Sequence, residues 1–494
     1  MTQIQRRIVL ILVAAQVLMA LAVTWNRISR NVVIDAAESA HGLMAYEAFQ
    51  GAPLYSKRIT PDIQQVHYGP LPFIIMGHFL RVFGVGIRAL RLATFLFAAG
   101  AALMAGLIAW TLSRDKLIAW AAGGLMSALP ASIWFIEVGP NTFHAFFALL
   151  GFYLLIRDRD LRWGTVLGAM AALFAGFWCK QTGMVYLAAG IFCVFVRSPK
   201  KGLVALGFAA LLVGGGTWYY LSQPDSDFLH MFYLFQWSGI VVIWDLLLTP
   251  VLFPENLGRF GVLFAVIAAY LFTARRSWKI LLEPEVILLG ASAFVGIYAR
   301  LKYGSGPTQA LVFNGMLLAV GLSFLNRLLA EKQVGGTLAT CLIALQCLAL
   351  VQDPRAYFIT ADDETRSARI LDILSQPGKR VYYANQGFWN VLAGKPPVRN
   401  VGGPHGEWHN GQLYKNLYPK ELSDFFGSDP FDIVIIDIPT EMGSWFLYDR
   451  LNAAYQPVQE IPAARQWPIL TLRYQKYVFV KKQAQLPAYQ PIAP

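Results

Sequence analysis

IDAAESAHGLMAYEAFQGAPLYSKRITPDIQQVHYGPLP, residues 34–72, stands between an apolar N-terminal run and the next hydrophobic segment. It gathers Asp35, Glu38, His41, Glu47, Lys57, Arg58, Asp62 and His67 in a chain whose charged content is only 14%. Ionisable groups concentrated between apolar runs mark an extramembrane loop, and this loop is where chemistry is to be sought. The run before it, Ile8 to Trp25, follows Arg6 and Arg7 and is long enough to cross roughly 30 Å of hydrocarbon as helix. No small-residue cleavage site follows and many further apolar runs do, so it reads as a span rather than a secretory signal.

Among 494 residues, 56% are hydrophobic, and mean hydropathy is +0.47. That is more apolar surface than one soluble core can hide, which makes the chain a polytopic membrane protein. Candidate spans are 8–25, 87–112, 117–135, 142–156, 163–179, 183–196, 203–221, 257–273, 285–301, 309–326 and 336–352, about eleven transmembrane helices. The net charge of +12 falls in short clusters between spans, a membrane-orientation pattern that excludes a nucleic-acid face. Alternate turns carry Arg114 and Lys116, then Arg157, Arg159 and Arg162, then Arg197, Lys200 and Lys201, then Arg275, Arg276 and Lys279, then Arg327 and Lys332. With these inside, the first loop and everything after Gln352 lie outside the cytoplasm. The expected setting is a bacterial inner (cytoplasmic) membrane, crossed many times, with the active site and C-terminal domain on the periplasmic side.

The expected domains are a membrane domain, 1–352, whose first external loop, 26–86, carries interfacial helices, and a soluble α/β domain, 353–483. A disordered tail, 484–494, follows. Within the loop, Asp35 to Gln50 is too polar to span, and Leu43, Met44, Tyr46 and Phe49 are expected to face lipid, with Gly51 and Pro53 as the stop. Leu71 to Phe83 reads as a second interfacial helix. The aromatic-rich segment Ser222 to Glu255 is expected to cap a cavity from outside. In the C-terminal part, a helix is predicted over Asp363–Gln376 and strands over Arg380–Tyr383, Phe431–Asp437 and Tyr477–Lys481. The loops at Gly394–Pro397 and Gly402–Gly406 read as turns, and Cys179, Cys193, Cys341 and Cys347 lack metal or disulfide spacing.

Asp35 and Glu38 have the spacing of a capping box, and a carboxylate at such a helix start can also take a proton from an acceptor hydroxyl or amine. His67-Tyr68-Gly-Pro-Leu-Pro72 joins a polar turn to an apolar helix and is a candidate wall of the site. Lys180 and Gln181, at an external helix end, read either as a snorkelling lysine with its neighbour or as a lipid-phosphate site whose cation is the Lys180 ammonium. Lys302, in Lys-Tyr-Gly-Ser-Gly306, sits at another external end, and Asn141 reads as a helix-start cap. Glu38, His41 and His67 could build a metal site but match no closed metal motif, so no cofactor is certain and a divalent metal stays open without being indicated.

At these residues the chain resembles the GT-C superfamily of membrane glycosyltransferases, in particular bacterial family 39 proteins similar to protein mannosyltransferases and to aminoarabinose transferases. The resemblance rests on Asp35 and Glu38, Gly51-x-Pro-Leu-Tyr55, Tyr68-Gly-Pro-Leu71, Arg88 and Arg91, Lys180-Gln181-Thr182 and Lys302-x-Gly-Ser305, in that order. It implies inverting transfer of a sugar from a polyprenyl-phosphate donor to a periplasmic glycan, lipid or protein acceptor. Asp35 would be the general base and Glu38 a second catalytic or orienting carboxylate; His67, Tyr68, Lys180, Gln181 and Lys302 would contact substrate. Many relatives have adjacent Asp-Glu where two alanines intervene here, and an Asp where this chain has Asn141. The rival readings are a transporter or flippase of lipid-linked sugar, which would carry ionisable groups at mid-membrane, and a non-catalytic membrane scaffold.

Overall fold

The computed structural model describes residues 1–33, 36–55, 68–129, 138–234, 252–273, 278–300, 310–351, 353–383, 387–397, 431–437, 455–461 and 476–481. Asp35, His67 and Lys302 lie outside these, as do Gly402–Gly406. The chain is mainly helical. In chain order come α1 (Gln3–Ser29), α2 (Ala36–Gln50), α3 (Leu71–Phe83), α4 (Ile87–Ser113), α5 (Lys116–Ser127), α6 (Pro140–Arg157), α7 (Trp163–Cys179), α8 (Gly183–Arg197) and α9 (Pro199–Leu221). Then follow α10 (Leu252–Thr273), α11 (Pro284–Arg300), α12 (Leu311–Ala330) and α13 (Gly336–Ala349).

Each predicted apolar run coincides with a helix. Among the described residues four of them, α1, α4, α9 and α12, are long and apolar enough to cross a membrane unaided, and the protein is a multi-pass membrane protein. The helices differ in what they face. α12 is the axis of the bundle, with 83% of its apolar window buried and α4, α5, α6, α10, α11 and α13 packed around it. α1 and α9 are peripheral, at 22% and 17%, and expose Ile11, Leu18, Leu203 and Leu211 in the manner of lipid-facing surface. α1 begins earlier than predicted because Thr2 and Gln5 close a reciprocal capping box.

A second apolar core lies beyond one end of the bundle and joins the first loop to the C-terminal elements. α2 packs along α3, burying Leu43, Met44 and Ala45 with Phe73 and Met76. Leu43 and Met44 therefore face protein, not lipid as expected, because the C-terminal elements cover the helix from the other side. There, α14 (Ala361–Leu374) and α15 (Gly387–Leu392) accompany a four-stranded sheet of β1 (Val381–Tyr383), β2 (Ile433–Asp437), β3 (Tyr455–Ile461) and β4 (Lys476–Lys481). The order is β1-β2-β4-β3, with β1 parallel to β2 and the other pairings antiparallel. β3 was not predicted: Pro457 and the polar residues around it obscure the alternation, but β3 is an edge strand with a bulge between Pro457 and Gln459, where a missing N–H is tolerated.

α15 sits on α2. The Phe388 ring lies 2.9 Å from where a Cβ on Gly42 would stand, and the Ser39 hydroxyl accepts the Phe388 amide at 3.2 Å. The end of α1 holds the same elements: Asn26 exchanges side-chain hydrogen bonds with the Ile359 backbone, Arg27 donates to the Tyr357 carbonyl at 2.9 Å, and Arg30 pairs with Glu364.

Candidate functional site

The turn between α1 and α2 is built around Arg91 of α4, whose side chain is fully buried. Its Nε and Nη2 donate to the two carboxylate oxygens of Glu38 at 2.8 and 2.7 Å. Nη1 donates to the carbonyls of Arg27 at 2.6 Å and Arg30 at 3.2 Å, and Nη2 also to that of Val32. A guanidinium has five N–H donors in a fixed fork, and here every one has an acceptor. Glu38 is thus held in a buried bidentate pair one turn into α2, and the pair fixes where that helix begins. Sequence reading saw Arg91 only as one residue in an ordered set of motifs; the signal that could have found it is an arginine a full turn inside an apolar helix, which needs a buried partner.

Opposite this turn, the loop before α3 docks on the end of α7. The Gly69 amide donates to the Cys179 carbonyl at 3.2 Å, and a Cβ on Gly69 would stand 1.8 Å from the Trp178 carbonyl oxygen. Only glycine permits that approach. Gly69→Ala is expected to lower stability by more than about 3 kcal/mol, since the clash is with backbone that cannot swing away. Thermal unfolding of the purified protein in detergent would read it, and an unchanged midpoint would contradict the contact. The Tyr55 hydroxyl donates to the Tyr68 carbonyl and braces the same loop from inside. Burial, with Tyr220 close by, pushes the Tyr55 phenol well above its usual range, so it stays a donor.

This docking brings Tyr68 over Lys180. The Lys180 ammonium lies 5.6 Å from the centre of the Tyr68 ring and donates to Asn141 Oδ1 at 2.5 Å. The residue is 5% exposed. A snorkelling lysine would carry its charge outward; this one turns it in, between an aromatic face and an amide oxygen. Asn141 is therefore an acceptor for Lys180 and not the cap of α6, whose N-cap is Gly139 followed by Pro140, without a side-chain cap. His144, one turn on, faces the Gly176 carbonyl at 2.9 Å and the Thr182 hydroxyl at 3.4 Å, and so fixes the Lys180-Gln181-Thr182 turn. Gln181 is half-buried in that turn.

His41 completes the row. Its ring is 5.5 Å from that of Tyr68 and its Nδ1 is 2.7 Å from the Val138 carbonyl. His41, Tyr68, Lys180 and Asn141 thus form one continuous polar seam, beginning one turn from Glu38. Phe228 and Phe232, from the segment after α9, stack on each other and pack against Trp178, walling the seam on one side. The rest of the expected external cap, 235–251, lies outside the described residues. Among the described residues no three His, Cys, Asp or Glu side chains gather as a metal set. An apolar groove of about 490 Å³ opens along α9 between Val213, Thr217, Trp218 and Tyr233. The Trp178 ring lies over Gly216 of the same helix.

No protein-family model and no curated protein sequence matches the chain. Solved structures do. ArnT from Cupriavidus metallidurans, bound to undecaprenyl phosphate, aligns with a TM-score of 0.57 at 14% identity, over 94% of this chain and 97% of that one. The same protein in its apo state gives 0.58 at 14% identity, with the same coverage. The Archaeoglobus fulgidus oligosaccharyltransferase complexed with Zn and sulfate gives 0.51 at 13% identity, over 95% of this chain and 73% of that one. The likeness is one of fold and extends over nearly the whole chain. The chain shares the fold of ArnT and of this oligosaccharyltransferase.

Proposed function

We propose that the protein is an inverting glycosyltransferase that moves a sugar from a polyprenyl-phosphate donor to a glycan, lipid or protein acceptor. The observation that carries this reading is the buried Lys180 ammonium, facing Tyr68 and Asn141 at the seam beside the start of α2. The shared fold and the undecaprenyl phosphate bound by ArnT support a lipid-phosphate donor. Lys180, with Gln181 in the same turn and Lys302 as a second cation, would hold the donor phosphate and stabilise it as leaving group. Tyr68 and His67 would line the sugar, and the groove along α9 is suited to isoprenoid.

In the reaction Asp35 takes the proton from the acceptor, whose oxygen or nitrogen attacks the anomeric carbon from the side opposite the phosphate. The bond from that carbon to the phosphate oxygen breaks, and its electron pair leaves with the lipid phosphate. Glu38 supports this step through Arg91 by positioning the N-terminal turn of α2. The membrane would be the bacterial inner membrane, crossed about eleven times, with the seam and the C-terminal α/β domain in the periplasm. The Arg6–Asp115 ion pair at 2.6 Å, which joins the chain's start to the Arg114–Lys116 turn, agrees with that orientation.

Lys180→Ala tests the donor site. A charged hydrogen bond contributes about 1.5–3 kcal/mol, so apparent donor affinity is expected to fall about ten- to a hundredfold. Donor titration in a transfer assay, with unfolding measured alongside, checks this. An unchanged affinity in a folded variant would remove Lys180 from the site.

A further inference from the structure

The far end of the bundle holds a cavity of about 1080 Å³ that the transfer reaction does not use. α6 runs from Asn141, at the seam, to Arg157, at this cavity, and its 18 residues make about 27 Å of helix. Six cations line the cavity: Arg114, Arg157, Arg159, Arg162, Arg197 and Lys279. They come from four separate interhelix turns. Four carboxylates share it, Asp158, Asp160, Glu283 and Glu285, but two of these are already committed. Glu285 is buried and pairs with Arg327. Asp158 accepts the amides of Asp160 and Arg162 within its own turn; although burial opposes it, those bonds and the Thr165 hydroxyl hold its carboxyl below the usual range.

The turn is braced before any ligand arrives. Arg197 donates to the carbonyls of Leu155 at 2.9 Å and Asp158 at 2.6 Å, and Lys201 donates to those of Asp160 and Leu161. Leu161 is buried at a φ of 54°, a left-handed conformation that the bracing maintains. Of the other five cations, Arg162 belongs to this turn through its amide bond to Asp158, and the remaining four take no part in the bracing. Among the described residues, Arg114, Arg157, Arg159 and Lys279 form no ion pair; the Arg157 guanidinium lies over the Tyr153 ring at 5.8 Å. Like charges gathered around a partly enclosed, preformed cavity repel one another, and an anion with several acceptor oxygens removes that cost.

We propose that this cavity binds a phosphate-bearing anion, the chemistry shared by anionic lipid headgroups and free phosphate, with Arg114, Arg157, Arg159 and Lys279 as its cations. The site stands at the ends of membrane-embedded helices, where a lipid headgroup would reach it from the side. It is independent of the transferase reading, because its test is binding and not turnover.

The test uses the full-length protein in a neutral detergent. Its unfolding midpoint is titrated with dihexanoyl-phosphatidylglycerol, with dihexanoyl-phosphatidylcholine of the same chain length, and with inorganic phosphate. Arg157→Gln/Arg159→Gln removes two exposed charges from the cavity mouth, and Lys200→Gln removes an exposed charge elsewhere on the same face. Stabilisation by phosphatidylglycerol beyond that by phosphatidylcholine, weakened about tenfold or more in the double variant and unchanged in Lys200→Gln, is expected for a headgroup site. Stabilisation by inorganic phosphate with the same dependence would support the site and assign it to a soluble anion. No stabilisation by either probe, or stabilisation that the double variant retains, would overturn the proposal.

Discussion

Asp35→Asn is expected to reduce sugar transfer by about a hundred- to ten-thousandfold while leaving the protein folded. Asparagine is as good a helix N-cap as aspartate, so the substitution would preserve a capping role and remove only the ability to accept a proton. This separates the two roles that Asp35 and the Glu38 spacing suggest. Were the residue only a cap, Asn would preserve activity and Ala would lower stability by about 1 kcal/mol. Were it the base, Asn and Ala would both lose transfer, and only Ala would also lose stability. Turnover measured with a polyprenyl-phosphate-sugar donor, together with an unfolding midpoint for each variant, distinguishes the cases.

The largest stability effect is expected at Arg91. Arg91→Ala leaves a buried carboxylate without its partner and three carbonyls without their donor, which together should lower stability by about 3–5 kcal/mol. Arg91→Lys should recover little, because an ammonium has three donors in place of five and cannot grip both Glu38 oxygens in a planar fork. The pairing itself can be tested by removing both charges. A buried ion pair replaced by apolar side chains is often neutral, but here Arg91→Met/Glu38→Met would still remove the guanidinium donor to the Arg27, Arg30 and Val32 carbonyls. The double variant is therefore expected to lie between Arg91→Ala and the parent in thermal unfolding; full recovery would show that the carbonyl contacts contribute nothing.

The bundle was legible because apolar length is a strong signal: every predicted run coincides with a helix, though some begin or end several residues away. α14 and three of the four strands were also legible, with boundaries displaced by at most two residues. β3 was hidden by Pro457 and its polar neighbours. What sequence did not reveal was which surfaces meet. Leu43 and Met44 look equally suited to lipid and to protein, and only the docking of α15 on α2 decides between them. Asn141 has the composition of a cap, yet Pro140 and Gly139 occupy that place and free the side chain to accept from Lys180. The closeness of Tyr68 and Lys180 rests on the docking of Gly69 against the Trp178 and Cys179 carbonyls and on the Tyr55 brace, which no local pattern announces.

The central claim is that the seam formed by Tyr68, Lys180 and the start of α2 receives a lipid phosphate. An experimental structure of the protein with undecaprenyl phosphate tests it most directly. The expected result is density for the phosphate within about 3 Å of the Lys180 ammonium, a charged hydrogen-bond distance. Density for the phosphate elsewhere, with Lys180 still bonded to Asn141 beneath Tyr68 and no lipid at the seam, would contradict it.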